Sequence, residues 1–218
     1  MSRPISKKTK RDTQAALLNA AIEVFAEFGF DGGSIDKIST RAQSHDRMIY
    51  YYFNSKEGLF IAALEEIYRR YTAAESELIH DLNNPRESMV HATRFMLHYF
   101  RDHPEFVTLL NTENLFQGRH IKQSNHAQTF SSPAIQMLGR VLINGQKKGV
   151  FRVSLTPRNL YLMVVSLAYF YQSNRYTLSS FLGENLLHDS TFAEWESFVI
   201  DTVLNAVSLP TAQGHQHD

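Results

Sequence analysis

Apolar residues recur along this chain at intervals of three and four, the spacing that gathers them on one side of an α-helix. Leu17, Ala21, Val24, Phe25 and Phe28 make one such face, Met89, Thr93, Met96, Tyr99 and Phe100 another, and Phe198, Val199, Thr202, Val203 and Ala206 a third. Where each period restarts stands a capping residue followed by proline or by an early acid, a combination suited to the unpaired N–H groups of a helix start. On that ground Asn84-Pro85 with Glu87, Ser132-Pro133 and Thr156-Pro157 open helices, and Thr191 with Glu194 reads as the capping box of the last one. His103-Pro104-Glu105 divides two helices, and Gly149 and Gly183 read as stops. No stretch alternates with period two, and residues 149–153 are β-prone but too few to found a sheet. The pattern predicts an all-α chain of about nine helices. Residues 120–132 read as a polar loop or loose helix end, and the tail from 210 to 218 as frayed.

One part of the pattern has a specific geometry. A short helix over residues 34–42, a turn at 43–45 and a second short helix from 46 to about 52 have the spacing of a helix-turn-helix. Ser34 caps the first of these helices and Asp36 complements its dipole, while Ile35, Ile38 and Ala42 share a core with Ile49 and Phe53 of the second. That arrangement leaves Asp46, Arg47, Met48 and Tyr51 outside, free to reach a groove.

Length and charge narrow the setting. The 218 residues suffice for one large domain or for a small domain fused to a larger one. With 22 basic and 22 acidic side chains the formal net charge is zero, so any DNA-binding footprint must be local. It is found at the start, where Arg3, Lys7, Lys8, Lys10 and Arg11 precede the first acid, Asp12. A run of this kind reads as a disordered basic arm over 1–11, which either solubilises the chain or touches DNA. The absence of cysteine removes disulfides, thiolate metal sites and cysteine nucleophiles. No secretory signal is visible, and the longest apolar run, 160–171, falls short of a membrane span and is broken by Ser166. A soluble cytoplasmic protein with no membrane partner is expected.

In sequence order, Phe25-Ala26-Glu27-Phe28-Gly29-Phe30, Ser34-Ile35-Asp36-Lys37-Ile38 with Arg41-Ala42, Ile49-Tyr50-Tyr51-Tyr52-Phe53, and Asn54-Ser55-Lys56-Glu57-Gly58-Leu59-Phe60 resemble the DNA-binding domain of the tetracycline-repressor (TetR) family of bacterial regulators. The resemblance implies a DNA-binding domain over 12–60 and a ligand-binding and dimerisation domain over 61–209. It implies that the helix after the turn enters the major groove, where His45, Arg47 and Met48 would face base edges. Arginine is the usual bidentate reader of guanine, whereas methionine offers only apolar contact. Ser34, Tyr50, Tyr51, Tyr52 and Lys56 would lie against phosphates, with Lys7, Lys8, Lys10 and Arg11 as a DNA arm. The three tyrosines cannot all point one way on a helix, so at least one should pack inward. Asn54 and Glu57 are expected to form the capping box that holds the next helix. The turn departs from the family's usual Gly-Val-Ser-Lys-Gly-Thr: Gln43-Ser44-His45-Asp46-Arg47-Met48 stands there, and a left-handed Gln43 would cost on the order of 1 kcal/mol. Asp46 is either a negative charge near phosphates or a first-turn acid that stabilises its helix.

The remaining three quarters are aromatic-rich helices. Most of these rings read as core, and a cavity among bundle helices would be lined the same way. The resemblance places a small-molecule effector there, with His98, Asn111, Glu113, Asn114, Tyr169, Tyr171 and Asn174 as candidate contacts. The helices at 157–183 and 191–208 are apolar around much of their circumference and so need burial on two sides, which fits the family's homodimer interface. The function implied is a transcriptional regulator, a repressor that binds a palindromic double-stranded operator and is released by its effector. An architectural DNA binder without effector control is the nearer rival. An enzyme or metal protein is the farther one: His98 with His103, and His120 with His126, have zinc-like spacing but lack a tight partner set, and Glu77 with His80 is a single Glu-x-x-His pair where a di-iron bundle needs two. No cofactor, metal or catalytic residue is expected, since neither a phosphate loop nor a nucleophile elbow is present.

Overall fold

The computed structural model describes residues 10–78, 83–124, 126 and 132–209. Ten α-helices form among them: α1 (Lys10–Gly32), α2 (Ile35–Arg41), α3 (Asp46–Phe53), α4 (Lys56–Ser76), α5 (Pro85–Asp102), α6 (Pro104–Leu115), α7 (Ser132–Lys147), α8 (Pro157–Ser173), α9 (Arg175–Leu182) and α10 (Asp189–Val207). A 3-10 turn, Ile121–Gln123, follows α6, and the β-prone segment makes only an isolated antiparallel bridge from Phe151 to Ser208. The fold is all-α. Its residues divide into two compact units, one drawn from 1–71 and 103–130 and the other from 72–102 and 131–218.

In the first unit, α1 contributes Leu17, Ala21, Val24 and Phe25 to a core shared with Ile38 of α2, Ile49 of α3 and Leu59, Phe60 and Leu64 of α4. α6 packs along α1 and adds Phe106, Val107 and Leu109. Burying each such side chain contributes about 1.5 to 3 kcal/mol before chain entropy is counted. α1 bends at Gly29, whose φ of 69° is left-handed and suits glycine. Phe28, placed by its period on the inner face, is instead 40% exposed and carries the Lys37 ammonium over its ring at 4.1 Å.

The second unit is built around α5, which packs against α7, α8 and α10 through Met89, Ala92, Met96, Leu97 and Phe100. Its start is capped as expected: Asn84 Oδ1 accepts from the Glu87 amide at 3.2 Å and Asn84 Nδ2 donates to Glu87 Oε2 at 2.9 Å. Thr156 Oγ1 likewise accepts from the Asn159 amide at 3.2 Å and opens α8. Three expectations need correction. The segment 157–183 is not continuous: α8 stops at Ser173, where Asn174 Nδ2 donates to the Phe170 carbonyl at 3.0 Å, and the short α9 follows and ends at left-handed Gly183. The last helix starts at Asp189, before Thr191, because His188 Nδ1 accepts from the Ser190 amide at 3.3 Å and takes the capping role. Phe198, expected inside, is 56% exposed on α10. Among the described residues no helix is long and apolar enough to cross a membrane.

Candidate nucleic-acid interface

The reading element is held from both ends. At the start of α2, Ser34 is extended and its Oγ accepts from the Lys37 amide at 3.2 Å. α2 then closes into the turn through Ala42 N to Ile38 O at 2.9 Å and Ser44 N to Ser39 O at 2.9 Å. Gln43 takes φ 51°, the left-handed value a glycine would adopt more cheaply. The Ser39 hydroxyl, 4% exposed, donates to the Asp46 carboxylate and so ties the body of α2 to the first turn of α3. Asp46 is therefore occupied in fixing the angle between the two helices, and its charge is partly satisfied inside the motif. Ile49 and Phe53 bury the inner side of α3.

At the far end, Asn54 leaves the helix at φ 64° with its amide on the Tyr50 carbonyl at 3.0 Å. The cap of α4 is Ser55, one residue later than expected: its Oγ accepts from the Gly58 amide at 3.0 Å. Glu57 still turns back onto this start, because its backbone amide and the Ser55 hydroxyl hold its carboxyl below the usual glutamate range. Gly58 is required here, since a Cβ would stand 2.1 Å from the Phe53 carbonyl oxygen.

What remains outside is the outer face of α3. His45, Arg47, Tyr50 and Tyr51 are exposed, and Met48 is half-buried. Eight residues at 1.5 Å rise make an element about 12 Å long, comparable to the width of the major groove. Arg47 has no ion-pair partner among the described residues. Of the three tyrosines Tyr52 is the inward one, with its hydroxyl donating to the Lys10 carbonyl at 3.0 Å. That bond anchors the first turn of α1, and with it exposed Lys10 and Arg11, beside α3. Lys56 rests on the Asp31 carbonyl at 3.3 Å and over the Phe30 ring at 4.7 Å, from which a long flexible side chain can swing to a phosphate. Ser34, in contrast, already uses its oxygen as a cap. Lys7 and Lys8 lie outside the described residues.

Glu113, expected as an effector contact, has a different task in the structure, a buried contact with His120. Glu113 of α6 and His120 are 5% and 1% exposed, with Glu113 Oε2 2.7 Å from His120 Nδ1 and Oε1 accepting from the His120 and Ile121 amides, each at 2.8 Å. The imidazole lies against the rings of Phe30, Phe60 and Phe116. It is a buried hydrogen-bonded wedge, not half of a His120–His126 zinc pair. The other suspected histidines are also engaged, His98 with Glu196 at 2.7 Å and His103 with Glu105 at 3.1 Å, while His80 of the Glu-x-x-His pair lies outside the described residues.

The remaining six expected effector contacts fall in both compact units. Asn111 and Asn114 belong to the unit that carries the helix-turn-helix, and the other four to the second unit. Asn174 is spent as a helix cap. Buried Tyr171, whose hydroxyl donates to the Leu186 carbonyl at 3.1 Å, lines a cleft of about 390 Å³ with Phe170, Leu182, Leu186, Trp195 and Phe198. Tyr169 and His98 do not line it.

Comparison with known proteins agrees with this geometry. Residues 17–63 match the family of bacterial regulatory proteins, tetR family, and residues 85–203, more than half of the chain, match the tetracyclin repressor-like C-terminal domain. The chain is 46% identical over 195 residues to the HTH-type transcriptional repressor NicS of Pseudomonas putida, covering 89% of this chain and 92% of NicS. It is 33% identical over 114 residues to the HTH-type transcriptional regulator RutR of Escherichia coli, about half of each chain (52% and 51%). The crystal structure of FadR from Bacillus subtilis in complex with stearoyl-CoA shares the fold, with a TM-score of 0.63 at 17% identity over 88% of this chain and 98% of that one.

Proposed function

The chain belongs to the TetR family of bacterial transcriptional regulators, a family of regulators and not of enzymes, and on that premise we propose that it is a dimeric repressor released from its operator by a small molecule. The observation that carries the DNA-binding part is the outer face of α3: Arg47 and Tyr50 are exposed without a structural task and Tyr51 is exposed with an edge contact to the Tyr52 ring, while Ile49, Phe53 and the Ser39–Asp46 bond hold the helix in place. His45 and Met48 flank Arg47 at the base edges, Tyr50, Tyr51 and Lys56 take phosphates, and Lys10 and Arg11 continue the basic track. Repression, in preference to activation, is supported by the likeness to a named repressor over almost the whole chain.

Dimerisation is supported by apolar side chains left in water on the last three helices: Phe170 at 57%, Phe181 at 82%, Leu182 at 59% and Phe198 at 56%. Monomers seldom keep such a patch exposed. A two-fold dimer would offer two α3 helices about one DNA turn apart, roughly 34 to 36 Å or somewhat more, to a palindromic site in the bacterial cytoplasm. Release needs an effector that favours another spacing, with about 5.5 kcal/mol of differential affinity to move the equilibrium from 1:99 to 99:1.

The test is retardation of palindromic against random duplexes at physiological salt, with mass by light scattering. A dimer that retards a palindrome at least about a thousandfold more strongly is expected. Equal affinity for all duplexes describes an architectural binder, and a monomeric mass contradicts the proposal.

A further inference from the structure

The second unit holds a buried carboxylate that no structural role accounts for. Glu75, near the end of α4, is 4% exposed, and its Oε1 has no hydrogen-bond partner among the described residues. It lines a cavity of about 140 Å³ together with Thr72 and Leu78 on its own side and Gln136, Met137 and Arg140 of α7. Arg140 is exposed and attracts Glu75 from a distance without forming an ion pair within 4 Å among the described residues. Half-buried Tyr161 of α8 is near enough for its hydroxyl to be perturbed by the same carboxylate. Burial raises the Glu75 pKa to about 7, with Arg140 opposing, so close to neutrality the group is divided between its two forms.

An ionised carboxylate can only accept hydrogen bonds, and one left buried without a donor destabilises the fold. A ligand that brings the donor removes that penalty. We propose that this cavity binds a compact organic cation, a protonated amine on a small apolar body, whose N–H groups donate to Glu75. In size the cavity is close to the roughly 150 Å³ void that accommodates benzene, so the body has about six to eight non-hydrogen atoms, resting on Met137 and Leu78. An anion drawn to Arg140 would have to lie beside the Glu75 charge, which disfavours it. The regulatory meaning rests on the effector-released reading above, in which this ligand is the effector.

The probes are benzylamine, benzyl alcohol and benzoate, titrated calorimetrically into the full chain at pH 8. Benzylamine should bind at least about tenfold more tightly than benzyl alcohol, the value of one charge-assisted hydrogen bond, and benzoate more weakly than either. Glu75→Gln should abolish the preference for the amine. Met137→Trp, which fills the cavity, should weaken all three probes and keeps the test decisive if the first variant folds poorly. Benzoate binding as tightly as benzylamine, a preference that survives Glu75→Gln, or no binding of any probe at 10 mM order of concentration overturns the proposal. The release reading is judged separately on the operator: other compounds that free DNA from Glu75→Gln as readily as from the parent leave it standing while this site falls.

Discussion

Replacing Glu75 with glutamine should stabilise the protein at pH 8 far more than at pH 5. The folded-state pKa is about 7 against an ordinary 4.5, a rise of about 2.5 units caused first by burial. At 1.36 kcal/mol per unit this amounts to about 3 kcal/mol. The folded chain holds the Glu75 proton more tightly than the unfolded chain. The contribution of the group is therefore intact below pH 4.5, is lost as pH rises through 7, and changes no further above that. Between pH 5 and pH 8 the variant's advantage should grow by about 2.5 kcal/mol, and the cost of burying the glutamine amide, being the same at both pH values, cancels from that difference. For a chain of this length 1 kcal/mol moves the melting temperature by about 2 to 4 °C, so the gain at pH 8 should reach several degrees. Thermal melts of both proteins at pH 5, 6, 7 and 8 measure it. A difference that does not vary with pH, or a variant less stable than the parent at pH 8, would refute the reasoning about burial.

Three further predictions concern the DNA-binding face and the dimer. Arg47→Ala should cost about 1 to 3 kcal/mol on the operator and little on random DNA, so that competition assays show relaxed specificity. Lys56→Ala should weaken all duplexes alike and flatten the plot of log affinity against log salt by about 0.9 per lost phosphate contact, near 2 for a dimer. Phe198→Glu places a charge on an exposed apolar residue of α10 and should leave a folded monomer in light scattering, with operator binding reduced by more than about tenfold.

The helix-turn-helix was legible because its determinants are local: the apolar period, the Ser34 cap, and a turn residue that must accept a left-handed backbone. The errors at its edge are of one residue. Asn54 and Ser55 are both capping types, and only the φ of 64° at Asn54 decides that Ser55 faces the Gly58 amide. The break at Asn174 carried no proline or glycine to announce it, and His188 is not a residue usually read as a cap. The surroundings of Glu75 and of Glu113 were illegible for a different reason. Glu75 on a helix of alternating charges looks like a solvated acid until α7 covers it, and Glu113 meets His120 only because the chain turns after α6. Such contacts depend on tertiary packing and leave no periodic trace.

The most direct test of the central claim is to select DNA from a random pool with the full protein and to sequence the retained fragments. The account predicts one enriched two-fold-symmetric motif, with half-sites whose centres lie about one helical turn apart or somewhat farther, and loss of a base preference in each half when Arg47 is replaced by alanine. Enrichment of an asymmetric motif, or of none above the random pool, would contradict it.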